Sequence, residues 1–307
     1  MHELPGKEVK MSVLKDKIRM LFFDAAYFLH RTGMMRNPLH VKSIDETIDK
    51  LINTNKSLVR FGDAEIRMIE GNTTKFQDYE GELAKRLYEI LQYEQENVMV
   101  GIPDIFDSLE DYTDKSKAFW KMHLFFSRRT YLRYCNIRKE YENAFFSRLY
   151  YIYKDKERSG RWFERIKEIW RDKEVVIVEG EGTHTGVGND LLDTAAGIER
   201  ILCPALNAYH CYNEIRQACF RMCKDKLFLL AVGNTAKLLV SDLAREGYRA
   251  LDIGNLDLEY EWFLRRAADK IEIRKNSVMG KTADEQAGYH EFLLQVKERI
   301  QTHCAEP

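Results

Sequence analysis

The sequence lacks the features that mark several function classes. None of its 307 residues belongs to an apolar run of 18 or more, so no stretch is long enough to span a bilayer as a helix. The first ten residues, MHELPGKEVK, have no apolar core of the secretory kind, and the chain is expected to stay in the cytoplasm. Six cysteines (Cys135, Cys203, Cys211, Cys219, Cys223 and Cys304) include no CxxC pair and no Cys/His quartet at zinc-finger spacing, so they read as free thiols in a reducing compartment. Neither charge is in excess: 48 Lys/Arg against 49 Asp/Glu leave a net charge of -1, which gives no chain-wide field for nucleic acid. There is no G-x-S-x-G elbow for a serine hydrolase, no G-x-G-x-x-G for a dinucleotide and no P-loop for an ATPase.

What is present reads as a large α/β unit. Hydrophobic residues make up 45% of the chain, enough to close a core. Short apolar runs at 57–61, 97–102, 175–179, 200–203, 227–232 and 249–253 alternate with helical patterns, among them Ile44 to Ile52, Glu80 to Leu91 and most of Asp114 to Arg171. That alternation predicts a Rossmann-like, doubly wound, mostly parallel sheet with flanking helices. Lys270 to Arg274 is expected as an edge strand and Asp284 to Ile300 as a terminal helix. The chain divides into an N-terminal helical extension (1–42), a main domain (43–275) and a C-terminal helix (276–307). Within the extension, Ile18 to Leu29 is strongly apolar and flanked by Lys10, Lys15, Lys17, Arg19, Arg31 and Arg36. It is expected to pack on the domain or on a second subunit, with a peripheral place in a membrane interface as the alternative.

Four groups of residues could carry chemistry. Arg60-Phe-Gly-Asp-Ala-Glu65 follows a strand and sets two carboxylates two residues apart, a pair of oxygen ligands suited to Mg²⁺ or Mn²⁺ that leaves positions for a diphosphate. Glu179-Gly-Glu-Gly-Thr-His-Thr-Gly-Val-Gly-Asn-Asp190, read between a strand and a helix, has glycines that allow close approach to an anion. Gly233-Asn-Thr235 sits where a strand gives way to a helix, whose first N–H groups can meet a phosphate. Asp257, Glu259 and Glu261 follow the last strand among apolar neighbours, where burial raises a carboxylate toward general-base duty. Each has a structural reading as well: a solvated turn, a glycine turn, an N-cap and an acidic first helical turn. His123 and His210 are given no metal role, and the aromatic, basic interval 128–173 is expected to be mostly buried rings under a solvated helical surface.

The order RFGDAE, SRLY at Ser147 to Tyr150, VIVEGEGTHTGVGNDLLD, AVGNTA and ALDIGNLDLEYEW resembles the GT-D-fold glycosyltransferases over roughly residues 45 to 268. This family was first described as a domain of unknown function and has members that extend glycans on streptococcal serine-rich-repeat adhesins. The resemblance implies a UDP-sugar donor and a divalent metal, Mn²⁺ or Mg²⁺, at Asp63 and Glu65. It implies donor contacts from Arg60, Gly62, Gly186, Gly188, Asn189, Asp190, Gly233, Asn234 and Thr235. The acidic run supplies the catalytic acid, with Glu261 first, then Glu259 and Asp257, while His184, Arg148 and Asn255 are candidates for acceptor or phosphate contacts. Two positions depart from the family's pattern: Thr183-His184-Thr185 stands for its Ser-Arg pair, and Asn255 for its His, which leaves room for a different sugar or acceptor. The expectation is hexose transfer, of glucose or galactose, to a glycan, glycoprotein or lipid-linked oligosaccharide, with no nucleic-acid partner. The alternatives are a metal-dependent nucleotide-sugar or phosphate-ester hydrolase and a nucleotide-binding module without turnover.

Overall fold

The computed structural model describes residues 5–35, 38–92, 94–273, 275 and 283–301, without the side chains of 5–17 and 283–287. Lys10, Lys15 and Lys17 therefore enter only as helix backbone, and Arg36, Arg274 and Cys304 lie outside the described residues. The strands are β1 (His40–Val41), β2 (Ser57–Arg60), β3 (Val98–Ile102), β4 (Glu140–Asn143), β5 (Glu174–Gly180), β6 (Gly197–Cys203), β7 (Leu227–Ala231), β8 (Arg249–Asp252) and β9 (Val296–Arg299). All pair in parallel, in the order β1-β4-β3-β2-β8-β7-β5-β6-β9. The helices are α1 (Pro5–Arg31), α2 (Ile44–Asn53), α3 (Asp63–Ile69), α4 (Gly81–Gln92), α5 (Asp114–Tyr134), α6 (Lys156–Lys167), α7 (Tyr212–Arg221), α8 (Thr235–Arg245), α9 (Leu256–Leu264) and α10 (Ala283–Gln295).

Handedness sorts these helices into layers. The connections β2 to β3, β6 to β7 and β7 to β8 all step toward the β1 edge, so right-handed crossovers put α4, α7 and α8 on one face. The steps from β1 to β2, β4 to β5 and β8 to β9 run the other way and put α2, α6 and α9 on the opposite face. Covered on both sides, β2, β3, β7 and β8 are buried nearly throughout, which is why they read as continuous apolar runs. α2 shows the local logic of a helix start. Ser43 caps it, accepting from the Glu46 N–H while the Glu46 carboxylate takes the Ser43 N–H, and Ile44, Ile48 and Leu51 form its buried face. In the interval 128–173, Tyr131, Tyr150, Tyr153, Trp162 and Trp170 are all core residues.

Several expectations need correction. Between Asp114 and Arg171 the chain also forms β4, hidden in the sequence because its residues are Glu-Tyr-Glu-Asn; Glu142 is buried there only because Lys50 and the Thr47 hydroxyl meet its carboxylate. Residues 270–273 form no strand, and the sheet edge is instead β9, taken from the end of the expected terminal helix, which stops at Gln295. No helix joins β5 to β6; residues 181–196 are a run of turns. α1 is docked on the domain by Phe23, Tyr27 and His30, with the Leu109 N–H donating to the Tyr27 hydroxyl at 3.0 Å and the His30 ring donating to the Phe106 carbonyl at 2.7 Å. Among the described residues no helix is long and apolar enough to cross a membrane.

The helix-free crossover is held by a buried ion pair. Arg200 of β6 donates to Glu179 of β5 at 2.7 Å, to the Thr185 carbonyl at 2.9 Å and to Gln295 of α10 at 2.7 Å, while the second Glu179 oxygen accepts from the Thr185 N–H. Both side chains are at most 2% exposed. Glu179→Ala leaves the guanidinium buried without its counter-charge and is expected to cost about 3–5 kcal/mol in urea unfolding. A loss below about 1 kcal/mol would remove this pair as the anchor of the crossover.

Candidate functional site

The carboxyl ends of β2, β4, β5, β7 and β8 open into one cleft of about 560 Å³. Its floor is set by charges rather than by apolar packing. Arg60, the last residue of β2, donates through Nε to the Asp252 carbonyl at 2.6 Å, through Nη1 to the Ala144 carbonyl at 3.2 Å and through Nη2 to Asp252 Oδ1 at 2.8 Å. Lys237, in the first turn of α8, places its ammonium 3.0 Å from Asp252 Oδ2, 2.8 Å from Glu65 Oε1 and 3.1 Å from the Gly233 carbonyl. Glu65 Oε2 accepts the Gly62 N–H at 2.8 Å, closing the turn that starts α3. Two cations thus balance two anions, and all four side chains are buried. Burial alone would raise the Asp252 carboxyl, but Arg60 and then Lys237 hold it below its ordinary value. Gly254 completes the floor: its φ is +45°, and a Cβ there would lie 2.2 Å from Arg60 Nη2.

Above this floor stands Asp63. Among the described residues no side chain donates a hydrogen bond to its carboxylate, although it is half-buried and lines the cleft. Burial and then the neighbouring Glu65 push its carboxyl above the ordinary value, against the pull of Arg148. Arg148 lines the same cleft, with Nη1 3.5 Å from Glu259 Oε1. Gly233 and Asn234 form the opposite lip at the N-terminus of α8, where first-turn N–H groups are unpaired by construction. Asn234 occupies the cap position but makes no capping bond; its Nδ2, and the Thr235 Oγ1 behind it, are buried with no partner among the described residues. Asn255 and the backbone of Glu181 to Thr183 also line the cleft.

For a divalent metal the two acids of the Asp-x-Glu pair are unequal. Both Glu65 oxygens are engaged, by Lys237 and by the Gly62 N–H, while Asp63 is open. Among the described residues no three His, Cys, Asp or Glu side chains converge. The donor set therefore fits a metal shared with a diphosphate and held by Asp63, since Mg²⁺ and Mn²⁺ accept one or two carboxylates with ligand oxygens and water filling the remaining positions. Glu65 joins such a site only by releasing Lys237.

The remaining expected residues form a second network away from the cleft lining. Asp257 accepts from the Gly186 N–H at 2.9 Å, from Asn189 Nδ2 at 2.9 Å and from Lys275 Nζ at 2.7 Å. Glu261 accepts from Asn189 at 2.7 Å and from Arg265 at 3.0 Å, and Lys275 lies 3.1 Å away. Glu259 is fully buried, with Oε2 taking the N–H groups of Tyr150 (3.0 Å) and Tyr151 (2.7 Å). None of the three acids lines the cleft, and Glu259 meets it only through Arg148, whose Nη1 lies 3.5 Å away. The acids tie the glycine loop and residues 150–151 to α9 instead. Gly186 and Gly188, at φ of +75° and +76°, serve the turns of that loop. Asp190 is held by Lys167 and the Tyr260 hydroxyl, and His184 is buried against Phe292 at a centroid distance of 4.3 Å.

Cleft residues not picked out from the sequence include Lys237, Trp120 of α5 and the exposed Phe76. A lysine in the first turn of a helix opposes the macrodipole, and that was the available signal for Lys237. Phe76, set in the polar run Asn72-Thr-Thr-Lys-Phe-Gln77, was marked by its surroundings.

Asp63 carries a stability cost that can be measured. Its folded-state pKa lies above the unfolded one, so the folded protein holds the proton more tightly and loses stability as pH rises from the ordinary carboxylate range through the raised value. Asp63→Asn is expected to raise the melting temperature at neutral pH, with the gain shrinking as pH falls toward that ordinary range. A variant that melts lower than the parent at neutral pH would show instead that the carboxylate is stabilising.

Comparison with known proteins agrees with this architecture. Residues 58–281 match the family described as glycosyltransferase GT-D fold. The chain is 41% identical over 254 residues to a probable glycosyl transferase, Gly, of Streptococcus gordonii, covering 82% of this chain and 37% of that one. It is 39% identical over 242 residues to the glycosyltransferase GlyD of Streptococcus pneumoniae serotype 4, covering 78% of this chain and 30% of that one. It thus spans about a third of the length of these relatives. A solved structure of domain of unknown function 1792, described as having a distinct glycosyltransferase fold, superposes with a TM-score of 0.80 at 36% identity, over 91% of this chain and 99% of that one. Another, described as a new glycosyltransferase from Streptococcus sanguinis, superposes with a TM-score of 0.79 at 36% identity, over 86% of this chain and 100% of that one. The matched span, the identities and the shared fold together establish that the chain belongs to the GT-D-fold glycosyltransferase family.

Proposed function

We propose that the chain transfers a hexose from a UDP-sugar to a hydroxyl of a bacterial surface glycan, glycoprotein or lipid-linked oligosaccharide, with Mn²⁺ or Mg²⁺ shared between Asp63 and the donor diphosphate. The observation that carries this reading is the open, half-buried Asp63 carboxylate facing the N-terminus of α8 across one cleft. A bound metal would neutralise charge growing on the leaving nucleoside diphosphate. The first N–H groups of α8 and the unpaired Asn234 amide offer donors to phosphate or ribose oxygens. Arg148 adds a cation on the opposite wall and keeps Asp63 ionised more readily than burial alone would. Arg60 and Lys237 act beneath this layer: their hydrogen bonds go to protein acceptors, so they hold the α3 and α8 termini in register instead of reaching the donor. Phe76, exposed in the cleft lining, offers a ring face for a base or sugar.

The test compares two carboxylates by calorimetry with UDP in the presence and absence of Mn²⁺, alongside donor hydrolysis and transfer. Asp63→Asn is expected to lose metal-dependent UDP affinity by roughly 10-fold or more and to be nearly inactive. Glu261→Gln is expected to keep UDP affinity while losing about 1–3 kcal/mol of stability, because Lys275 and Asn189 lose a charged partner. Metal-dependent UDP affinity that is unchanged in Asp63→Asn would refute the site, and release of free sugar with no transfer to any hydroxyl acceptor would favour a hydrolase.

A further inference from the structure

The solvent-facing side of α1 is apolar where a surface helix normally shows its polar face. With Phe23, Tyr27 and His30 turned into the domain, helical spacing places Ile18, Leu21, Phe22, Ala25, Phe28 and Leu29 on the opposite arc. Leu21, Phe22 and Phe28 are 67%, 63% and 60% exposed, far beyond what packing on the domain accounts for. The patch continues onto α5. Phe23 packs between Phe125 and Phe126 at centroid distances of 5.1 and 5.8 Å, yet Phe126 is itself 62% exposed. A contiguous apolar surface of this kind marks a docking face.

Charge selects what docks there. The described side chains of α1 and α5 (18–31 and 114–134) include 8 Lys/Arg against 2 Asp/Glu, in a chain whose net charge is -1. Arg129, one turn beyond Phe125 and Phe126 on α5, and Arg19, one turn before Phe23 on α1, are both exposed near the apolar surface. A second copy of the chain would bring two such positive faces together, whereas an anionic lipid surface meets both the apolar arc and its basic border. α1 is 27 residues long, about 40 Å of helix that can lie flat, and it is not apolar enough to cross.

We propose that the apolar arc of α1, continued by Phe125 and Phe126 of α5, docks the chain on an anionic lipid surface. The same α5 carries Trp120 into the cleft wall, five residues or about 8 Å along the axis from Phe125, so docking holds that wall close to the headgroups. Lipid binding requires no sugar transfer, and it can fail or succeed independently of the transferase reading.

The experiment is sedimentation of the full chain with vesicles of phosphatidylcholine alone and of phosphatidylcholine mixed with phosphatidylglycerol. The chain is expected to sediment with the anionic vesicles several-fold more than with the neutral ones, and less as salt is raised. The triple variant Leu21→Ser, Phe22→Ser, Phe28→Ser should bind about 10-fold less or weaker. Because these side chains are exposed, its melting temperature and UDP binding should match the parent's. Arg19→Glu with Arg129→Glu should weaken anionic-vesicle binding while leaving the apolar arc intact. Failure to sediment with anionic vesicles, or equal sedimentation by the triple variant, overturns the proposal. A parent chain that is dimeric by light scattering, becomes monomeric in the triple variant and ignores vesicles assigns the face to a second copy and overturns it equally.

Discussion

The Asp252 carboxylate, fully buried at the end of a central strand, is the constraint on which the site depends. A buried anion is tolerable only if it is met by charge and hydrogen bonds, and here Arg60 from β2 and Lys237 from α8 meet it from two sides. Each of those cations then recruits something further: Arg60 takes the carbonyl of Ala144 after β4, and Lys237 takes Glu65 and the carbonyl of Gly233. One anion therefore registers the ends of β2, β4, β7 and β8 against one another. The loops that leave those ends can form a cleft because the strands beneath them are held in register. Asp63 stands half-buried above this arrangement with its carboxyl pushed above the ordinary value by burial and Glu65, the usual sign of a group positioned at the expense of stability.

The parallel sheet was legible because both faces of its central strands are covered, so β3, β5 and β7 are written as nearly unbroken apolar runs and β2 and β8 as short ones. The edges were not. β4 is polar in sequence and becomes a buried strand only through the partners that Lys50 and Thr47 offer Glu142, a tertiary fact that no local pattern carries. β9 has the alternating exposure of an edge strand, and Val-Lys-Glu-Arg is equally compatible with the last turn of a helix. The glycine-rich stretch after β5 reads as lying between a strand and a helix. Here its glycines serve a loop pinned from the side by Asp257 and Arg200.

The candidate site was legible in part for a similar reason. Residues placed at the carboxyl ends of strands, Asp63, Glu65, Gly233, Asn234 and Asn255, do line the cleft, since strand direction is fixed by a parallel sheet. Glu259 and Glu261 sit on α9 below that level, and whether a carboxylate on a helix faces a cleft or a neighbouring loop depends on the rotation of that helix. Lys275 decides it for Asp257 and Glu261, and it comes from a segment with no secondary structure to announce it.

The helix-free connection between β5 and β6 bears on how this scaffold can vary. A crossover helix has to be rebuilt when its length changes, because one face of it is core. The turns from 181 to 196 are fastened at Glu181, whose N–H donates to the Cys203 carbonyl and whose carboxylate pairs with Arg299, and again at Thr185, Gly186 and Asn189, while Gly182 and Thr183 border the cleft between those fastenings. Doubling the length of a flexible loop adds only about 0.6 kcal/mol of closure entropy. Insertions and exchanges at 182–183 can therefore remodel one wall of the cleft while the sheet, the charged floor and Asp63 stay where they are. That makes this short stretch the part of the wall whose length can change without rebuilding the core.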